Sequence, residues 1–387
     1  MAAIFGACGI DLMSDDSSST QSLTDSICNY PIENGRSYHR YREGCPYSTF
    51  KHQIPHNQYA DVNRTTAYHF PNDPAELERL DLQYELFKRL HRGRIYFAPL
   101  NKPKRILDIG TGTGIWPVEM AELFPSASII GTDLSPVQPT TIPANVHFLI
   151  DDASEPDWLY PPAHFSYIHT RVLLGCFEDF RAIIARSFTY LEPGGHMESQ
   201  EPYPTPYCDD GTMRPDSQLL EWTRQLDDAA MTSARPIRIA NKLKRWYEEA
   251  GFVDVQERLY KLPLNPWPED KRMKEIGRWS EVNMLDGVQG FSLAWFSRVL
   301  GWSMAEIEVY LVGVRRAIVQ REAHIYYKAY VPSPPITGDR SVVRLGFTDS
   351  PLRRRYVVWG RKPYPHEVAA KAKVTAEAKP STTTTMT

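Results

Sequence analysis

The chain has 387 residues, 44 lysines and arginines against 47 aspartates and glutamates, a formal net charge of −3 and 42% hydrophobic residues. That length is ample for a core, the charge gives no global basic field to favour a nucleic-acid partner, and no apolar run approaches the ~20 residues of a membrane span. The five cysteines (Cys8, Cys28, Cys45, Cys176 and Cys208) form no C-x-x-C pair, which argues against a zinc site or a disulfide scaffold and for reduced thiols in an intracellular protein.

Met1 to Ile10 is mildly apolar but lacks a basic stretch, so no secretory signal is expected. Residues 1–30, rich in Ser, Asp and Thr over 11–26, are expected to form a disordered tail, as is 364–387 with its terminal threonines. One domain is expected over 31–363. A polar and aromatic stretch, Asn34 to Tyr41, precedes any regular pattern. A helix is predicted over 74–92, with Asp73 as N-cap, Pro74 as first helical residue and Glu76 as capping-box partner. Leu77, Leu80, Tyr84 and Phe87 fall on its apolar face.

An alternating α/β pattern runs from 105 to about 200. Arg105 to Asp108 reads as a buried strand, Gly110, Gly112 and Gly114 as a tight loop, and Ile115-Trp116 as a helix start. The spacing is G-x-G-x-G, which fits neither the dinucleotide fingerprint nor the P-loop. A second strand ends at Asp133, a third at Asp151-Asp152-Ala153, and a fourth, 165–169, leads into Thr170-Arg171. Leu191 to Gly195 reads as a turn into a fifth strand, 196–200. This order predicts a parallel sheet with crossover helices. Helices near 215–231 and 238–250 follow, the second closed by Gly251, then a strand over 252–262 and helices over 268–289 and 303–322. Ser303 and Glu306 form a capping-box pair in the last helix.

Acids at the tips of successive parallel strands share one sheet edge, where doubly wound folds bind nucleosides. Asp133 is placed to hold a ribose hydroxyl pair and Asp152 to face an adenine amine, with Asp151 one residue away from the same role. The ordered set from Asp108 to Ala153 resembles the class I S-adenosylmethionine (SAM) methyltransferases. Asp108, Gly110, Gly112 and Gly114 then meet the amino acid moiety of SAM.

The chain also resembles the fungal LaeA-like methyltransferases. The matching blocks are Glu33-Asn34-Gly35-Arg36-Ser37-Tyr38-His39, Glu78-Arg79-Leu80-Asp81, Gly112-Thr113-Gly114-Ile115-Trp116, Leu191-Glu192-Pro193-Gly194-Gly195, Cys208-Asp209-Asp210-Gly211, Ala250-Gly251-Phe252, Leu262-Pro263-Leu264-Asn265-Pro266-Trp267 and Trp359-Gly360-Arg361-Lys362-Pro363. The resemblance implies a doubly wound, mostly parallel seven-stranded sheet, Rossmann-like, with a last strand that enters antiparallel and added helices over the acceptor side. Residues 331–355 have no counterpart in the family pattern and stand as an atypical insertion. Tyr330-Val331 and Tyr356-Val357 bracket it as a repeat, which reads as a translated intron, with a surface loop as the alternative.

Within this frame Tyr38 is expected to close over the donor, with Arg36 or Arg40 pairing its carboxylate; an arm packed on the domain surface suits the same residues. His169 is the expected general base by type and place, though a histidine held by backbone near the cofactor would look the same, and Glu198 and Glu201 are weaker candidates. Trp116, Trp222, Trp267 and Trp295 are candidate pocket walls or core. No metal is required for methyl transfer from a sulfonium. The expected function is O- or N-methylation of a fungal secondary metabolite in the cytoplasm, with a small-molecule acceptor, no direct nucleic-acid contact and no membrane. The alternative is a LaeA-like nuclear regulator working with protein partners.

Overall fold

The computed structural model describes residues 30–39, 68–331 and 358–370. Residues 1–29, Arg40 and 371–387 lie outside the described residues; of the C-terminal stretch expected to be disordered, 364–370 is described, with 365–370 helical and Glu367 paired with Arg361 at 2.8 Å. Among the described residues a nine-stranded sheet forms the centre. Strands β3 (Arg105–Ile109), β4 (Ser128–Asp133), β5 (Val146–Ile150), β6 (Phe165–Arg171) and β7 (Leu191–Tyr207) lie in the order β5-β4-β3-β6-β7, all parallel. The order reverses between β3 and β6, and a crevice at such a reversal is where open α/β sheets take ligands. A two-residue hairpin, β1 (Ile32–Glu33) and β2 (Arg36–Ser37), precedes the sheet. Strand β7 is longer than the sequence pattern suggested. It begins at Leu191, includes the Pro-Gly-Gly stretch, and continues to Tyr207 because antiparallel partners line its second half.

Those partners are β8 (Val253–Gln256), β9 (Arg258–Pro263), β10 (Tyr326–Val331) and β11 (Val358–Arg361). β10 pairs Tyr330 with Glu201 on β7, and β11 pairs Val358 with Ser199. On the other side Val331 faces Arg258 and Trp359 faces Gln256. Val331 and Val358 therefore occupy consecutive positions of one antiparallel strand, and 332–357 interrupts it. All of 332–357 lies outside the described residues, and with it all but Val331 of the 331–355 stretch singled out in the sequence.

Period-two alternation sorts the β3 and β6 side chains between two cores. Leu107, Ile109 and Ile168 pack with helices α3 (Phe180–Tyr190) and α5 (Leu243–Ala250) on one face. Ile106 and Tyr167 pack on the other with Trp116 and Met120 of α2 (Ile115–Leu123) and Tyr84 of α1 (Pro74–Leu90). A third cluster joins α1 to α4 (Gln218–Thr232), α6 (Lys271–Arg298), α7 (Met304–Ile318) and strands β9 and β10. Trp222 and Trp295 belong to this cluster, and Trp267 donates its indole N–H to the Ile325 carbonyl at 2.8 Å.

Capping follows the sequence at Asp73, at Gly251, whose φ of 100° closes α5, and at Ser303, and departs from it once. The Ser303–Glu306 box is complete. Asp73 accepts from the Glu76 N–H as N-cap, but the Glu76 carboxylate does not return to Asp73. It accepts a two-pronged bond from Arg79, which also reaches Asn283 of α6, so a stronger charge-assisted partner displaces the second half of the box. No helix among the described residues is long and apolar enough to cross a membrane.

Candidate functional site

A cavity of about 460 Å³ opens at the carboxyl ends of β3, β4, β5 and β6. Its floor is the glycine loop. Gly110, Gly112 and Gly114 all hold positive φ, at 66°, 58° and 77°. A Cβ on Gly110 would lie 2.5 Å from Leu173 Cδ2, and one on Gly114 would lie 2.4 Å from Phe148 Cζ. One on Gly112 would meet only Leu80 Cδ1, at 3.6 Å. Gly110 and Gly112 line the cavity and Gly114 supports the loop from behind. A bare backbone here leaves space that a side chain on Gly112 would take from a ligand.

Asp133 closes β4 beside the loop. Its Oδ2 accepts the Gly112 N–H at 2.8 Å and its Oδ1 accepts the Ser135 N–H at 3.1 Å. Each oxygen keeps a lone pair for a ligand hydroxyl. Burial, opposed by these backbone bonds, pushes its pKa up to about 6. Asp151 and Asp152 both line the cavity. Burial first, then the charges of Glu155 and Asp152, pushes Asp151 up to about 6. Asp152 accepts the Ser154 N–H at 2.8 Å. The geometry thus admits either acid, as the sequence did.

Asp108 is not in the cavity wall. Its Oδ1 contacts His169 Nδ1 at 2.7 Å and its Oδ2 accepts from Thr111 Oγ1, also at 2.7 Å. His169 is 1% exposed, and its ring lies parallel to Trp116 with centroids 4.0 Å apart. Alternation on β6 puts Tyr167, His169 and Arg171 on the same face, and His169 falls one step short of the strand end. The pair ties the end of β3 and Thr111 of the glycine loop to β6, and neither Asp108 nor His169 lines the cavity. Glu198 and Glu201 are equally committed. Glu198 accepts from the Phe97 and Ala98 N–H groups, and Glu201 from the Leu173 N–H. Burial pushes Glu201 up to about 8.

Tyr38 does not close over the cavity either. It is buried, with the Arg298 guanidinium over its ring at 4.8 Å. Arg36 is held by Asp73 and by Gln289 at 3.2 Å, outside the cavity wall. The arm still reaches the site, through the next residue. His39 lines the cavity together with Tyr68, Cys176 and Arg235. Its Nε2 accepts the Tyr68 N–H at 3.1 Å, which leaves the proton on Nδ1, a buried atom with no hydrogen-bond partner among the described residues. Burial and the charges of Arg235 and Arg298 push His39 down to about 4, so it stays neutral at physiological pH. Burial raises the Cys176 thiol to about 12. The sequence offered one signal for His39, its place at the end of the matched N-terminal block; Tyr68 carried none.

Arg171, at the tip of β6, also lines the cavity. The residue after it, Val172, holds φ at 55°, costly for a β-branched residue, and donates its N–H to the Gln200 carbonyl at 3.0 Å. The cradle of glycines, the open lone pairs of Asp133 and the acids beyond it fit the nucleoside and amino acid halves of SAM.

Comparison with known proteins agrees. A methyltransferase-domain family profile matches residues 79–257. Methyltransferase pytC of Aspergillus terreus is 37% identical over 317 residues, 81% of this chain and 90% of that protein. Probable methyltransferase tdiE of Emericella nidulans is 36% identical over 66% of this chain and 80% of its own length. Secondary metabolism regulator LAE1 of Cochliobolus heterostrophus is 33% identical over 78% of this chain and 92% of its own. The chain belongs to the fungal LaeA-like family of class I SAM-dependent methyltransferases.

Proposed function

We propose that this methyltransferase transfers a methyl group from SAM to an oxygen or nitrogen of a small-molecule secondary metabolite, acting in the cytoplasm. The supporting observation is that His39, Tyr68, Cys176 and Arg235 line the same cavity as the glycine loop and the strand-tip acids. The donor supplies a methyl group already activated by its sulfonium charge. The protein's part is to position the two reactants and exclude water. Asp133 holds the ribose hydroxyls, Asp152 the adenine amine, and the Asp108–His169–Thr111 brace keeps the glycine loop in place. His39 offers an N–H donor and not a base, which suits orientation of an acceptor more than its deprotonation.

The second reading, a nuclear regulator acting with protein partners, draws on the similarity to LAE1 and other named regulators at 31–33% identity. Metabolite profiling of a deletion strain complemented with the native gene or with Asp133→Ala separates them. Loss of one methyl group from one product supports the enzyme. Loss of many unrelated products, restored by Asp133→Ala as well as by the native gene, supports a regulator that needs no methyl donor.

A further inference from the structure

We propose that the Arg171 guanidinium binds a carboxylate in this cavity, and that the carboxylate is the one on the amino acid end of SAM. The inference rests on the reading of the cavity as the cofactor site. Thr170 pairs with Ile109 across the sheet, so Arg171 stands level with Gly110, where the loop leaves β3. Its side chain shares the face of Tyr167 and His169 but belongs to the last residue of the strand, where it lines the cavity.

Among the described residues this guanidinium has no hydrogen bond and no ion pair. It lies over the ring face of Tyr84, 4.5 Å from the centroid. The other two arginines in the wall are anchored, Arg186 on the Ala153 carbonyl at 2.9 Å and Arg235 on the Cys176 carbonyl at 2.5 Å. The acids whose charges act on Arg171 are engaged elsewhere. Asp108 serves His169 and Thr111, Glu198 serves two backbone N–H groups, and Glu119 takes Lys88 at 2.6 Å. Burial pulls the Arg171 pKa down, as expected of a cation short of compensation. A buried cation left without a partner is costly, and a planar fork of N–H donors matches a carboxylate.

The ligand's layout supplies the partner. With its ribose at Asp133 on β4, the nucleoside half extends toward the acids after β5. The amino acid half then crosses Gly110 and Thr111 toward β6, where Arg171 waits. SAM carries one anionic group, at that end. The sequence pattern assigned this role to Arg36 or Arg40; Arg36 is consumed by Asp73.

The test compares two ligands that differ by the carboxylate alone, S-adenosylhomocysteine and its decarboxylated analogue S-adenosyl-3-thiopropylamine. Binding is measured by calorimetry on the full chain. The native protein is expected to favour S-adenosylhomocysteine at least tenfold. Arg171→Met and Arg171→Gln are each expected to bring that preference below threefold while the amine analogue binds within threefold of its native affinity. Retained binding of the amine analogue shows that the variant is folded, and two variants guard against loss of one. Native preference in either folded variant, or equal weakening of both ligands, overturns the proposal. So does an unchanged cofactor preference with a raised acceptor KM, because the carboxylate would then belong to the acceptor. Failure of the cofactor-site reading is distinguishable: Asp133→Ala would leave both ligands at native affinity.

Discussion

The proposed hold of Asp133 on the ribose hydroxyls is the most direct test of the cofactor site. Two substitutions test it: Asp133→Asn, which keeps shape and removes charge, and Asp133→Ala. In the structure each carboxylate oxygen already accepts one backbone N–H, from Gly112 at 2.8 Å and Ser135 at 3.1 Å, and keeps one lone pair free. Two ribose hydroxyls would make two charge-assisted bonds, each worth about 1.5–3 kcal/mol. Loss of even one whole bond is tenfold or more, and loss of both is roughly a hundredfold or more. The alanine variant also orphans the two N–H groups and loosens the loop, so it exceeds the asparagine variant. The raised pKa, about 6, adds a second signature. Binding needs the carboxylate, so affinity for S-adenosylhomocysteine is flat above pH 7 and falls as pH drops through 6. One such group weakens binding about tenfold between pH 7 and pH 5. Asp151 titrates in the same window, so Asp133→Asn reduces the slope without removing it. The sign for the free protein is opposite. A carboxyl raised to about 6 favours the folded state when protonated and withdraws that contribution as pH rises through 6. Calorimetry at pH 5, 6, 7 and 8 checks both. An asparagine variant with affinity within threefold of native at pH 7 and an unchanged pH slope would refute the assignment.

Gly112→Val should abolish S-adenosylhomocysteine binding, since the side chain enters the cavity, and cost about 1–2 kcal/mol of stability because φ is 58°; normal binding by a folded variant would contradict the loop assignment. His169→Ala should lower stability by roughly 2 kcal/mol or more, from the lost Asp108 bond and the Trp116 stack. If instead turnover falls 10²-fold or more at unchanged melting temperature and SAM affinity, His169 acts as a base after all. Deleting 332–357 joins Val331 to Val358 in one strand and removes a loop-closure cost of roughly 2–3 kcal/mol for about 25 residues. The shortened protein should melt at or above the native temperature, and an unfolded product would show that the segment belongs to the fold. Glu201→Gln should keep the protein neutral at this buried site at every pH and so escape the stability that the native protein loses as pH rises toward 8, read as similar denaturant midpoints of the two proteins at low pH and a higher midpoint for the variant at high pH.

Sequence alone determined the parts of this protein that depend on local pattern. Glycines at alternate positions after a buried strand dictate a loop with positive φ, and acids closing successive apolar runs must share one edge of a parallel sheet. The shared edge of Gly110, Gly112, Asp133 and the Asp151-Asp152 pair therefore follows from the sequence pattern. Tertiary structure decided which side chains meet the cavity, because that depends on depth along a strand and on the partner packed opposite. His169 and Arg171 lie two residues apart on one face, but Trp116 covers the first and the strand end exposes the second. Tyr38 and His39 are neighbours, yet Arg298 on α6 captures one ring and Tyr68, distant in sequence, turns the other toward the site. Glu198 and Glu201 resembled candidate bases until backbone N–H groups from 97–98 and 173 were found to occupy them. Long-range partners of this kind leave no period in the sequence, whereas the pairing register that makes Val331 and Val358 consecutive follows from strands that only the folded sheet brings together.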